Sequence, residues 1–130
     1  MALLDKLKDV LIIAFGAFLG VNTRFIIYKK LNKINISKNS IVLLINIFSS
    51  FFLGLFLSIS SQIDSVSYYS KLVLFFSIGL LGSLSTFSSF IYDLYDLLIQ
   101  LKFYIAFKLF IISLISGLLA FAVGFLLGMP

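Results

Sequence analysis

Apolar residues run along this chain in four long blocks, parted by short polar stretches. The blocks cover residues 10–28, 41–59, 72–98 and 103–127. A helix needs roughly 20 apolar residues to cross a bilayer. Each block therefore predicts one crossing. Together they predict an all-α membrane protein with four transmembrane helices, a single four-span domain over residues 1–130. Residues 1–9 read as a short amphipathic lead-in, with Lys6 and Lys8 at the membrane surface. Asp5 and Asp9 flank those lysines and Arg24 interrupts the apolar run, so no cleavable signal peptide is expected. No tandem repeat or linker divides the chain.

The third block is the unusual one. Its middle reads Gly79-Leu80-Leu81-Gly82-Ser83-Leu84-Ser85-Thr86-Phe87-Ser88-Ser89-Phe90. Backbone polar groups left bare in hydrocarbon cost several kcal/mol each. Such a stretch predicts a helix broken in mid-membrane, buried in protein or lining a wet path. The other blocks are more regular. Gly16, Ala17 and Gly20 have the small-residue spacing that lets helices approach closely. Arg24, near the end of its block, snorkels to water or faces a cavity. Asn39 or Ser40 is placed to cap the second span. Within that span Asn46, Ser49, Ser50 and Gly54 share one face, with Phe48, Phe51 and Phe52 elsewhere around it. Residues 58–70 read as a Ser-rich loop containing Asp64, and Asp93 and Asp96 as a pair in water. In the fourth block Lys108 snorkels, and Ser113, Ser116 and Gly117 form the polar strip.

Composition narrows the chemistry. The chain is 62% apolar and 12% charged, against roughly a quarter charged in soluble domains. Cys, His, Trp and Glu are absent, and five Asp are the only acids. There is no disulfide frame, no thiolate metal site and no nucleophile–base cluster, so an enzyme is not expected. The net charge of +5 is spread over loops, which argues against nucleic acid. The first and third loops carry Lys29, Lys30, Lys33, Lys38 and Lys102, and the other side carries Lys6, Lys8 and Lys71. The bias weakly favours both termini outside, and a bias so small permits either orientation. Four short spans hardly enclose a pathway alone, so an oligomer follows, most simply a two-fold dimer.

Phe87 and Phe90, three apart, share a face of a helix, as do Ser85 and Ser88 if that part is helical. Ring edges carry partial positive charge. Ring edges, hydroxyls and the Asn46 amide are donors without full charge, able to solvate a small anion without trapping it. Spacing alone favours packing: two rings among 16 Phe most often simply pack, and Ser and Gly within a span more often close-pack than bind, while Asn46 serves equally as a helix–helix hydrogen bond.

The order of these residues resembles the CrcB/Fluc fluoride channel family, whose third-span signature usually reads Gly-x-x-Gly-Gly-x-Thr-Thr-Phe-Ser-Thr-Phe. Gly16 to Phe25 is similar to its first-span Gly-x-x-x-Gly-x-x-x-Arg-aromatic pattern, and Asn46 to Gly54 to its second-span Asn-x-x-Gly-Ser-Phe-x-x-Gly. The likeness covers essentially the whole chain. It implies passive export of fluoride across a bacterial cell membrane, by an antiparallel two-fold dimer with two pores. The dimer would be either a homodimer or a heterodimer with a paired homologue of opposite orientation. It implies that Asn46, Phe87, Phe90, Ser88 and Ser89 line the fluoride pathway and that Arg24 stands at the pore entrance. It further implies that backbone carbonyls of Gly82 and Ser85 hold a structural sodium ion on the dimer axis. Ser83 stands where the family has the second Gly of a pair, so the geometry of the break is the point at issue. Ser85 and Ser89 replace Thr, Ser49 replaces Gly, Ile41 and Val42 replace a Gly-Thr pair, and Asp93 falls where members often have Glu.

Two other readings compete. A small four-span multidrug antiporter would have similar size, but coupling needs an acid inside the membrane, and the Asp residues sit in loops or near span ends. A non-conducting accessory subunit would give no flux when reconstituted alone.

Overall fold

The computed structural model describes residues 1–63 and 66–130, so Asp64 lies outside the described residues. Among the described residues every regular element is a helix: α1 (Ala2–Asn32), α2 (Lys38–Ser60), α3 (Val66–Leu72), a π-helical segment (Val73–Leu81), α4 (Gly82–Leu84), α5 (Phe87–Ile99) and α6 (Phe103–Gly128). Among the described residues four helical stretches are long and apolar enough to cross a membrane: Ala2–Asn32, Lys38–Ser60, Tyr68–Ile99 and Phe103–Gly128. The third is compound. It runs from α3 through the wide-turned π segment into α4, breaks, and resumes as α5.

Several helix ends differ from the sequence reading for local reasons. The lead-in is part of α1, which is continuous over 31 residues, about 46 Å at 1.5 Å per residue. That exceeds the ~30 Å hydrocarbon core and carries the terminal lysines towards the headgroups. α2 is capped by Ser37, not by Asn39 or Ser40. Ser37 is extended (φ −61°, ψ 145°) and its hydroxyl accepts the Ser40 N–H. α2 also runs on to Ser60, shortening the expected loop. The Ser60 hydroxyl donates to Leu57 O, which also accepts the Ser61 N–H, and the Ser61 hydroxyl donates to Ser58 O at the helix end. Gln62 Nε2 donates to Gly128 O at 2.7 Å, tying the end of α2 to the end of α6.

Two glycine-lined crossings hold the bundle. In the first, α1 lies on the π segment. A Cβ at Gly16 would lie 2.5 Å from Phe75 O, and one at Gly79 would lie 2.8 Å from Ile13 O. In the second, α2 lies on α6, where Gly54 faces Phe121 O and Gly124 faces Phe51 O too closely for any side chain. Between the crossings, Ile41, Ile45, Leu81 and Leu84 form a small buried cluster, flanked by Ile27, Tyr28 and Leu31. Most other large apolar side chains are exposed, among them Phe15, Phe18, Phe107, Leu118 and Leu126. Such a surface suits hydrocarbon rather than water.

Ser83 fits the break without strain. It lies within α4, and no described glycine has positive φ. The left-handed freedom that only Gly supplies cheaply is therefore not used here. Ser83 instead points into the notch above Gly20, and its hydroxyl proton is shared between Ala17 O of α1 and Leu80 O one turn back, both at 3.1 Å. Ser83→Ala should lower stability by about 0.5–1.5 kcal/mol, the usual worth of one such bond, seen as a small drop in thermal midpoint in detergent. An unchanged midpoint would show that the bond contributes nothing.

Candidate functional site

The break is two residues long. Ser85 (φ −67°, ψ 154°) and Thr86 (φ −140°, ψ 104°) are both extended. In an unbroken helix the Thr86 N–H would bond to Gly82 O, four residues back. Here it donates to Asn46 Oδ1 at 2.8 Å, and Asn46 Nδ2 donates to Thr86 O at 3.3 Å. Gly82 O receives only a long 3.4 Å contact from the Ser85 hydroxyl. Asn46 reaches this point because it lies one turn beyond the buried Val42 and next to the buried Ile45, on the face α2 turns towards α5.

Thr86 starts α5. Its hydroxyl accepts the Ser89 N–H at 3.2 Å and donates to Ser89 Oγ at 2.9 Å. This cap fixes the next turn, which carries the aromatic pair. Phe87 and Phe90 have ring centroids 6.4 Å apart, inclined at 46°. Phe90 is half-buried and stacks on Phe110 of α6 (6.4 Å, 27°). Phe87 is 74% exposed. Ser88 is exposed beside it, whereas Ser89 turns inward towards the cap. Ser85 lies in the break and so does not continue the Ser88 face. Ser49 and Gly54 are buried, with the Ser49 hydroxyl bonded back to Ile45 O. Gly54 packs against Phe121 of α6, while Asn46 points to the break.

A cleft of about 280 Å³ opens beside the cap, lined by Arg24, Tyr28, Lys38, Val42, Thr86 and Ser89 among others. Two of its lining side chains are cations and none is an acid. Arg24 is half-buried here and so faces a cavity rather than the lipid surface. Lys38 Nζ sits 4.8 Å above the Tyr92 ring. Asp93, expected in water, is only 5% exposed. It shares the inward face of α5 with Leu97, one turn on, and Lys38 and Asp96 are the charges acting on it. Asp96 is exposed and accepts from Gln100 Nε2 at 2.9 Å.

Of the residues singled out from sequence, Asn46, Gly82, Ser85, Phe87, Ser88, Ser89 and Phe90 thus gather at the break and the first turn after it, with Arg24 one cleft away. Sequence reasoning missed Thr86, which joins the Asn46 clamp to the α5 cap. The signal was a Thr ahead of a helical run, a common N-cap residue. It also missed Lys38, read as a loop lysine, which is the first residue of α2.

Residues 11–125 match the family model described as CrcB-like protein, Camphor Resistance (CrcB). The chain is 53% identical over 122 residues to "Fluoride-specific ion channel FluC 2" of Prochlorococcus marinus strain NATL2A, covering 94% of this chain and 98% of that one. It is 33% identical to "Fluoride-specific ion channel FluC 1" of Parasynechococcus marenigrum, covering 92% and 93%. It is 34% identical to "Fluoride-specific ion channel FluC" of Campylobacter lari, covering 91% and 95%. With a broken third helix, a match over nearly its full length and relatives aligned almost end to end, this chain belongs to the CrcB-like family.

Proposed function

We propose that this protein is a fluoride-specific channel, not an enzyme, that lowers cytoplasmic fluoride by passive export across a bacterial plasma membrane. The observation that carries the reading is the aromatic pair Phe87 and Phe90, seated just past a break in a membrane-crossing helix and surrounded by neutral donors. The relatives named as fluoride channels support it. Dehydrating fluoride is costly, so a pathway must replace water with donors. Fixed positive charge would hold the ion too tightly for conduction. Ring edges of Phe87 and Phe90 with the hydroxyls of Ser88 and Ser89 supply partial positive charge instead. Asn46 borders the same region. Arg24, in the cleft next to Thr86 and Ser89, raises the local anion concentration at the entrance.

One protomer leaves Phe87 mostly exposed and half of any pathway missing. The functional unit is therefore proposed to be an antiparallel two-fold dimer with two pores, either of identical chains or of this chain with a homologue of opposite orientation. Gly82 and Ser85 would hold a structural sodium ion on the axis. The donor set fits such an ion: Gly82 O has lost its helical N–H partner to Asn46, and Ser85 O has lost its own because the Ser89 N–H bonds to the Thr86 hydroxyl. Unwound carbonyls of this kind are the usual sodium ligands within membranes. When bound, the ion supplies positive charge that links the broken helices of the two protomers.

The test is efflux from liposomes holding the purified protein, followed with a fluoride electrode and with chloride as control. Selective fluoride loss is expected. No fluoride flux from protein reconstituted alone or with its paired homologue would sink the reading. The buried Asp93 is the one feature that favours a coupled antiporter. Asp93→Asn should retain efflux in the absence of a proton gradient, whereas a carrier coupled through that carboxyl would lose it.

A further inference from the structure

The geometry points to Asn46 as a positioning residue that builds the helix break, acting through the Thr86 backbone. A carboxamide presents one acceptor and one donor edge, which matches the C=O and N–H of a single residue in extended conformation. Asn46 uses both edges on Thr86, at 2.8 and 3.3 Å. Each bond removes a reason for the third span to stay helical. The N–H that would close the turn onto Gly82 O is already satisfied, and the Thr86 carbonyl is held out of line with the axis of α4.

Three further observations agree. Thr86 is 4% exposed, so without Asn46 its N–H has no water to turn to, and bonding Gly82 is the remaining way to satisfy it. The Thr86 hydroxyl is committed to Ser89 and cannot take the place of Asn46. On the near side of the break, Ser83 ties α4 to Ala17 of α1. The broken helix is thus pinned from both flanks by side chains of the same protomer. A partner chain or a bound cation is not needed to open it. Asn46 therefore sets two things at once: it leaves Gly82 O without a backbone donor, and it fixes the φ,ψ from which α5 starts, hence where Phe87 and Phe90 stand.

The consequence for conduction rests on the channel reading, but the structural part does not, and the experiment separates them. With glycine carbonyls labelled with carbon-13, the Gly82 signal reports whether that carbonyl has a backbone donor, with no flux involved. Asn46→Leu, close in volume and unable to bond, should move the Gly82 signal towards the hydrogen-bonded helical range. It should also lower fluoride efflux about tenfold or more, as expected for losing two buried bonds. Asn46→Asp keeps an acceptor for the Thr86 N–H. It should leave the Gly82 signal in place and shift the Thr86 amide proton downfield, because the bond becomes charge-assisted. Lost efflux with an unmoved Gly82 signal in Asn46→Leu would make Asn46 an anion ligand and overturn the inference. Full efflux with a moved signal would overturn it as well. Should the Leu variant not fold, an unshifted Thr86 amide in Asn46→Asp would be decisive against the clamp. If the unaltered protein passes no fluoride at all, the channel reading fails and the spectroscopic comparison still stands.

Discussion

Replacing Phe87 with Ile should lower fluoride efflux about 10- to 100-fold, and Phe90→Ile should do the same, with the elution position on gel filtration unchanged. Ile is apolar and branched but has no ring edge. A donor to a charged acceptor is worth about 1.5–3 kcal/mol, and each 1.4 kcal/mol is about tenfold in rate. The two variants should separate in stability. Phe90 stacks on Phe110 at 6.4 Å, so losing its ring also removes a pair worth about 0.5–1.5 kcal/mol. Within the protomer Phe87 pairs with Phe90 alone among the described ring pairs and is otherwise open. Phe87→Ile should therefore lose flux with little change in thermal midpoint, and Phe90→Ile should lose both. Flux unchanged in both variants would assign the rings to packing.

The second large effect is on folding. Gly124→Ile should sharply reduce the yield of folded protein. A Cβ at this position falls on Phe51 O and lies 3.0 Å from Leu55 N. Both obstacles are backbone, so no rotamer change relieves them. Overpacking costs about 1–3 kcal/mol in a core that can adjust, and here α2 and α6 must separate along their whole crossing. Gly117→Ala is the matched control, since its nearest neighbour would be Ser50 Oγ at an ordinary 3.7 Å. Equal recovery of the Ile and Ala variants would show that the crossing is not close-packed in solution.

How far the sequence could be read depends on the range of the forces involved. Four spans were legible because the bilayer imposes a length on each apolar block, and the break was legible because Gly and Ser crowd where lipid-facing residues belong. That Gly16 and Gly20 mark a close helix crossing followed from spacing; that the third span is the partner did not. Which partner each polar group takes was not legible. Asn46 lies 40 residues from Thr86, and nothing local distinguishes an amide that lines a path from one that clamps a backbone. Asp93 looked solvent-facing as one of a pair with Asp96 near the end of its span, yet the rotation of α5 turns it inward, where Lys38 of another helix acts on it. Ser83 looked like a misfit at a glycine position. That expectation assumed a left-handed turn, and the break is made two residues later, by extended backbone at Ser85 and Thr86.

The open carbonyl of Gly82 also bears on how this protein behaves when thinned out in a bilayer. Gly82 is exposed on the protomer, with no neighbouring helix over it. A lone protomer surrounded by acyl chains would offer that oxygen to hydrocarbon, at a cost of several kcal/mol. Lipid competes well with apolar helix contacts, because tails are as greasy as Leu, but it cannot solvate an amide oxygen. In the proposed dimer, the attraction between protomers at this spot would thus arise from what the solvent lacks rather than from how well two surfaces fit. It should persist on dilution into excess lipid, where an association built on apolar contact alone would come apart.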